Sequence, residues 1–535
     1  MFSPRLIFIS GILAVASSCY GQDSLLLRNY QFVKRTDAWL TSQNAAGLTR
    51  LNSPTISEAE LSLSKSKGGL VDWYQSPDVL QATATVESFT RISQRAVVFG
   101  AMTYDNISGR DMAGTAFISP SHKPFDIVED SLVNTGTKHR DTYQLRGAIG
   151  VDVWRGLAAG IRLDYMAANY AKYKDLRHKN KLMDMTFTAG VHVPVAKWLD
   201  MGANYLYRRT TESLVFSLYG REDKVYKSLI DYGAFMGRVE QFGSSGYTDK
   251  SQEMPLVDDY NGAGLQFSLQ PIDNLIFYNA LTYARRKGYY GRKSPYTITY
   301  SNHQADLLTY EARLVWTVHR SMFSADFTMS SENLENQANT YRELKNESGA
   351  YYYEYYDPVK TANKLWKNGQ FVLTADLGIN GEMPTWTLMA SLDWNNRQQT
   401  SYLYPYYRRQ HLHNTKATLS ATRNLLTSKG VWTLSMTAAY QEGIGEPYTD
   451  LTFAEPSTKQ SAPATMDAWL WREYQYIVAP QYTVGGSVAY AFVFPQTRLK
   501  THVRLSATHR KANQTYEYSN GKDCTSLTLA VGCTF

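Results

Sequence analysis

TYQLRGAIGVDV, residues 142–153, sorts its side chains by parity. Tyr143, Leu145, Ile149, Val151 and Val153 fall on one side of an extended chain, while Thr142, Gln144, Arg146, Ala148, Gly150 and Asp152 fall on the other. Successive residues of a strand point to opposite faces, so this strand is apolar on one face and wet on the other. The pattern returns at 183–193, where Met183, Met185, Phe187, Ala189, Val191 and Val193 oppose Asp184, Thr186, Thr188, Gly190 and His192. At 308–318, Leu308, Tyr310, Ala312, Leu314, Trp316 and Val318 oppose Thr309, Glu311, Arg313 and Thr317. Segments 371–379, 386–394, 432–440 and 499–507 repeat it.

Half-buried strands of a soluble sandwich alternate in the same way. Two further features point to a bilayer. Aromatic residues bracket the apolar faces eight residues apart, as in Trp386 and Trp394 or Trp432 and Tyr440. On a strand tilted by about 40°, that separation rises roughly 20 Å along the membrane normal, close to the band between the aromatic girdles of a transmembrane barrel. The connections also alternate in length. Short links are expected at 155–157, 196–200, 271–274, 319–322 and 495–497, and long ones at 106–140, 211–260, 331–367 and 442–476. Tight periplasmic turns alternating with long extracellular loops are the wiring of outer-membrane barrels.

Composition agrees. The chain has 535 residues, 40 of them tyrosine, and only three cysteines. No apolar run after the first twenty residues is long enough for a membrane helix, so the bilayer must be crossed by strands. Residues 1–21 read as a cleaved signal peptide, with Arg5 before the apolar run LIFISGILAVA and small residues at Ser17, Ser18 and Gly21. Cys19 offers a lipid-acylated alternative, and either route leads to the envelope. Removing 1–21 takes away Arg5 and no acid, lowering the formal charge from +7 to +6. Bases and acids are interleaved rather than gathered into a stripe, so nucleic acid is not an expected partner. Cys524 and Cys533 lie nine apart in one expected strand and so on opposite faces, too far apart for a disulfide.

These features define an all-β fold: a transmembrane antiparallel up-and-down barrel of about 18 strands, within 16 to 20, occupying residues 55–535. It is expected to be integral to the outer membrane. The last segment, TSLTLAVGCTF at 525–535, puts Leu527, Leu529, Val531, Cys533 and Phe535 on one face. It resembles the closing strand of Gram-negative outer-membrane barrels, and the resemblance implies that Leu527, Leu529, Val531 and Phe535 form a signal read by the barrel-assembly machinery. Upstream, Asn44-Ala45-Ala46-Gly47-Leu48 resembles the Asn-Pro-Ala-Gly-Leu stretch of fatty-acid-transporter-type barrels, with Ala45 in place of proline. Such barrels have fewer strands, so no ligand is carried over. The whole resembles the large, poorly characterised barrels of bacteria with many surface-exposed uptake systems.

Residues 22–54 do not alternate, yet Tyr30, Phe32, Val33, Trp39 and Leu40 make them too apolar for a free tail. They are expected either to enter the periplasmic mouth or lumen as a short irregular or helical segment, or to form an ordered linker. No phosphate-binding, hydrolase or zinc motif is present, so no catalytic residue, metal or cofactor is expected. His411 and His413 share a strand face, but a third ligand is not visible and Arg408 and Arg409 stand beside them. The tyrosines of 351–356 and 404–407 lie in or beside outward loops, where they could grip a ligand or pack the loops together.

The wet faces define the lumen. They carry Arg146, Asp152, Arg162, Asp164, Asp184, Glu311, Arg313, Asp376, Asp393, Lys500 and Arg504, mixed in sign. Pairing Asp152 with Arg162 also sets Val151 against Leu163, a register that predicts a lumenal ion pair. A barrel this wide cannot fill its interior from its strands alone. The expected function is a channel or the barrel component of a solute uptake system with partner proteins. Alternatives are a non-conducting surface barrel that binds through its loops and, further off, an outer-membrane enzyme.

Overall fold

The computed structural model describes residues 25–53, 55–129, 132, 134–220, 223–243, 246–250, 252–494 and 499–535. The leader with Cys19 and the link at 495–497 lie outside the described residues. Eighteen antiparallel strands, from Thr55–Lys67 to Asp523–Thr534, form one sheet in which the last strand pairs with the first. Closure removes both sheet edges, which is what a bilayer demands of backbone hydrogen bonds. At the seam Leu61 faces Val531 and Leu63 faces Leu529. The Ser57 N–H donates to the Phe535 carbonyl at 2.9 Å and the Phe535 N–H to the Ser57 carbonyl at 3.1 Å. Among the described residues no helix is long and apolar enough to cross a membrane.

Phe535 therefore completes the ladder as well as the apolar face. Deleting it should leave export intact and lower the yield of heat-modifiable barrel several-fold, scored by gel mobility of boiled and unboiled membranes. Undiminished barrel in that variant would refute the role.

Outside, the apolar faces are bare: Leu145, Ile161, Leu163, Leu265, Leu434 and Leu529 are all exposed. Such a band is a lipid contact. The turns at 155–156, 197–198, 273–274 and 319–320 contain two residues each. Arg155 and Gly156 both have positive φ, 45° and 87°, as a type I′ hairpin turn requires. That turn, with a bulge between Asp152 and Trp154, sets the register: Arg146 faces Asp164, Gly150 faces Gly160, and Asp152 faces Ala158. The Asp152–Arg162 pairing read from the sequence is thus wrong, because the chain reverses before Leu157. The error is an even number of residues, so every side chain keeps its face.

The long loops are shorter than the sequence suggests. Gly430–Thr452 is a single strand of 23 residues and Tyr406–Thr427 one of 22, whereas about 9–11 residues cross a bilayer. The strands rise past the membrane as a collar. Above the lipid nothing selects apolar residues on the outer face, so alternation fades while the ladder continues.

Three outer connections, 113–135, 218–253 and 453–480, fold together. Their strands Asp126–Glu129, Lys227–Gly233, Met236–Gln241 and Ala464–Thr465 make a four-stranded sheet, joined by the helix Asp467–Val478. Phe117, Phe125, Ile127, Ile230 and Tyr232 pack with Leu214 and Tyr290 of the wall. At the short-turn end lie the helix Tyr30–Thr36 and the 3-10 turns Ala38–Leu40 and Ala45–Arg50.

Candidate functional site: a lumen stoppered at both ends

The inner stopper rests on a groove of glycines. Gly150 pairs with Gly160, Gly160 with Gly190, Gly190 with Asn204 and Asn204 with Gly264, a row across five neighbouring strands. The row faces inward and carries the backbone of 44–48. A Cβ at Gly160 would stand 2.3 Å from the Ala46 nitrogen, and one at Gly190 would stand 2.3 Å from Asn44 Oδ1. Only glycine lets two backbones approach so closely. Asn44 caps the 3-10 turn, its Oδ1 accepting from Ala46 N–H at 3.1 Å, while its Nδ2 donates to the Val191 carbonyl at 2.8 Å and to Gln266 Oε1 at 3.0 Å. Trp39, 1% exposed, meets His192 and Tyr278 edge-on at 4.7 and 5.1 Å.

Charge secures what shape begins. Lys34 pairs with Glu87 at 3.0 Å, Arg35 with Asp376 at 3.3 Å, Arg28 with Glu382 at 3.7 Å, and Arg50 with both Asp37 and Asp200. A basic segment sits on acidic positions of the barrel. All of these contacts are reversible.

The outer stopper is held similarly. Lys123 pairs with Glu212 at 2.6 Å, and His122 meets Glu332 at 2.6 Å. Glu332 in turn accepts from Arg286 at 2.8 Å, and Arg286 grips Asp258 at 2.7 Å. Arg397 reaches Glu473 of the lid helix at 2.6 Å. Arg408 joins Asp450 of the wall at 2.6 Å to Asp467 at 3.3 Å. The hairpin 227–241 turns at Ala234 and Phe235, both left-handed at φ 52° and 53° and both buried. Non-glycine residues there carry strain, and Asp231 supports the turn by accepting from Gly233 and Met236 N–H groups at 2.8 and 3.1 Å.

Two spaces remain. A chamber of roughly 340 Å³ is lined by Arg146, Asp164, Asp184 and Glu311 together with Arg208 and, from the inner stopper, Gln43. Four of the residues read from the sequence thus meet. Beneath the lid lies a second cavity of roughly 490 Å³, lined by residues that include Asp72, Asp126, Asp231, Lys364, Arg397 and Glu473. Sequence reading missed all of these.

The other expected residues are dispersed. Arg162 pairs with Asp164 at 2.9 Å and donates to the Ser42 carbonyl at 3.2 Å. Lys500 donates to the Arg28 carbonyl at 2.7 Å, and Asp376 holds Arg35. These three touch the inner stopper. Arg313 pairs with Asp326, Arg504 with Glu60 at 2.5 Å, and Asp393 accepts from Gln370 at 2.6 Å. Asp152 shares the inward face of Gly150 next to the turn. His411 and His413 bond Asn396 and Thr415 at 2.9 and 3.0 Å. Among the described residues no group of three or more His, Cys, Asp or Glu could hold a metal ion. Cys524 and Cys533 are free thiols.

Acids of the outer stopper respond to burial. It pushes Asp126 up to about 7, against the Thr115 hydroxyl and with help from Asp231, which sits opposite across the strand pair. It pushes Asp231 up to about 6, against Lys364, and Asp72 up to about 7, with help from Glu473. An exposed carboxyl titrates near 3.9, so the packed lid binds more protons than a released one between about pH 4 and 7, and packing weakens as pH rises through that window. Proteolysis of the outer segments should therefore be faster at pH 8 than at pH 5.5 when corrected against an unfolded substrate. Asp126→Asn with Asp231→Asn should reduce the difference, leaving the share of Asp72, and an unchanged pH dependence in that double variant would contradict the assignment.

A closed eighteen-strand barrel with an apolar lipid-facing band is an integral protein of the Gram-negative outer membrane. The chain belongs to a family of unknown function (DUF6850), which it matches over residues 45–535. No curated protein matches it. Among solved structures it is similar to BauA, the ferric preacinetobactin receptor from Acinetobacter baumannii, at 8% identity and a TM-score of 0.41, covering 90% of this chain and 80% of that one. The FrpB iron transporter from Neisseria meningitidis is similar at 9% identity and a TM-score of 0.39, covering 92% and 83%. The outer membrane transporter YddB from Escherichia coli is similar at 8% identity and a TM-score of 0.38, covering 90% and 80%.

Proposed function

We propose that the protein is the gated barrel of a solute uptake system, closed at rest and opened by displacing its stoppers. One observation carries this reading. The inner segment is docked in a groove of glycines with no covalent tie among its described residues, fastened by apolar contacts such as Tyr30 against Phe89, by hydrogen bonds and by ion pairs. Pairs of this kind contribute roughly 0–1 kcal/mol each when water reaches them, so a partner or ligand can release them stepwise. The wall left behind carries an apolar patch at Phe89 and Phe99, and beyond it the polar lining of Arg146, Asp164, Asp184 and Glu311 suits water-borne solutes.

A crosslink tests the gate. Lys34 of the inner segment meets Glu87 of the wall at 3.0 Å, so thiols placed at these two positions lie within reach of one short reducible bis-maleimide. In a background with Cys524 and Cys533 replaced by serine, Lys34→Cys with Glu87→Cys bridged by that reagent should lock the inner stopper. In planar bilayers the wild-type barrel is expected to be silent at low voltage and to open in steps at high voltage. The locked variant should stay silent until a reductant restores the steps.

The rival reading, a non-conducting surface barrel, draws on the rim. The hairpin Tyr341–Lys345 and Tyr351–Tyr355 sets Tyr341 edge-on to Tyr353 at 5.7 Å and to Tyr355 at 6.2 Å, with Tyr351 and Tyr356 exposed. Much of that tyrosine cluster packs the loop itself. A barrel that never opens, locked or reduced, would favour this alternative.

A further inference from the structure

The cavity under the lid has a lining whose chemistry is specific. Asn368 faces Asn395 and Asn395 faces Asn414, so three carboxamides form one row across adjacent strands, with Gln441 and Gln399 beside them. Asn414 is engaged, donating to the Ile477 carbonyl at 2.9 Å. Among the described residues the side chains of Asn368, Asn395 and Gln441 make no hydrogen bond, and all three line the cavity. Trp73, Tyr74, Trp366 and Tyr476 supply aromatic walls, and His122 covers Trp366 with ring centroids 4.7 Å apart.

Each carboxamide offers a donor and an acceptor without charge, which matches a hydroxyl group. Charged ligands fit less well. An anion would meet Asp72, Asp126, Asp231 and Glu473, while a cation would meet Lys364 and Arg397, so either sign encounters like charge. Aromatic faces beside open amides and carboxylates suit a ring that is apolar on its C–H face and polar at its rim. The volume of roughly 490 Å³ lies within the range of small-molecule sites, about 300–1,000 Å³.

We infer that this cavity is a binding site for a short neutral oligosaccharide, held by the Asn368–Asn395 row and the half-buried rings of Tyr74 and Tyr476. The inference deepens the uptake reading by naming the class of solute, and it rests on that reading for the solute's onward passage. Lid packing gates entry, since Phe235 and Glu473 belong to the lid and line the same cavity.

The test uses the full-length detergent-solubilised barrel on an array of neutral di-, tri- and tetrasaccharides, with spermidine and inorganic phosphate as charged controls. At least one neutral glycan should bind and perturb tryptophan fluorescence. Asn368→Leu with Asn395→Leu should weaken that binding about tenfold or more, because hydroxyls lose their partners on burial. Tyr74→Leu should weaken it less, and gel mobility should show all variants still folded. Absence of any glycan binding would overturn the inference, as would capture of only spermidine or phosphate, or full affinity in the double variant. Conductance of the crosslinked barrel is measured without saccharide, so the gate can fail while the site stands, and the reverse.

Discussion

Gly160→Leu is expected to produce a folded barrel in which residues 44–48 of the inner stopper no longer seat on the wall. The added Cβ would lie 2.3 Å from the Ala46 nitrogen and 2.4 Å from the Ala45 carbonyl carbon. Both are backbone atoms, and no rotamer change relieves the clash. Overpacking of this kind costs about 1–3 kcal/mol or more and falls on residues 44–48, whereas the ion pairs at roughly 0–1 kcal/mol each and apolar contacts such as Tyr30 on Phe89 act farther along the segment. The strand itself tolerates the change, because leucine suits an extended backbone and the lumen beyond the stopper is roomy. The expected readings are a heat-modifiable barrel at near wild-type yield, openings at lower voltage, and labelling of a cysteine placed at Gln43 by a periplasmic thiol reagent. Gly147→Leu provides the control, since a Cβ there meets nothing within 4 Å. Equal silence and equal protection in both variants would show that the groove does not seat the segment.

The barrel was legible because lipid imposes its own selection on alternate residues. Leu145, Ile161 and Leu529 are apolar because they face acyl chains, and that constraint shows in a single sequence. What stands above the membrane escaped. Residues 442–452 lie in a strand yet read as loop, since water on both sides asks for no pattern. The inner groove was visible only in part. Gly150 and Gly190 stood on the wet face, but their alignment with Gly160 appears only once register is known, and the expected register was displaced at the Arg155–Gly156 turn. Arg146, Asp164, Asp184 and Glu311 share a chamber because each lies on a strictly alternating strand. Arg208 lies beyond the alternation, and Asp126, Asp231 and Glu473 come from loops whose inward folding depends on contacts distant in sequence. The carboxylates that hold the inner stopper, Glu87 and Asp200 among them, needed its basic residues Lys34 and Arg50 as the clue. Four bases against one acid in residues 25–53 would have suggested an acidic seat.

Ile161→Arg and Asp152→Arg should separate the two faces of one hairpin. Ile161 is 52% exposed, lies opposite Ile149 and Ala189, and sits four residues from the end of its strand, near the middle of the apolar band. A lipid-facing arginine at that depth costs about 2–4 kcal/mol. The folded yield in vesicles should fall sharply and the urea midpoint should drop. Asp152 lies opposite Ala158 on the inward face, where no apolar medium resists a cation. Its replacement by arginine should leave the urea midpoint within experimental scatter, since lumenal changes tune rather than unfold a barrel. In a barrel opened by Gly160→Leu, the same substitution changes the local charge by two and should shift reversal potentials toward anion selectivity. Equal loss of folding in both variants, or an Asp152→Arg barrel with unchanged reversal potentials, would place Asp152 outside the lumen and reverse the face assignment of this hairpin.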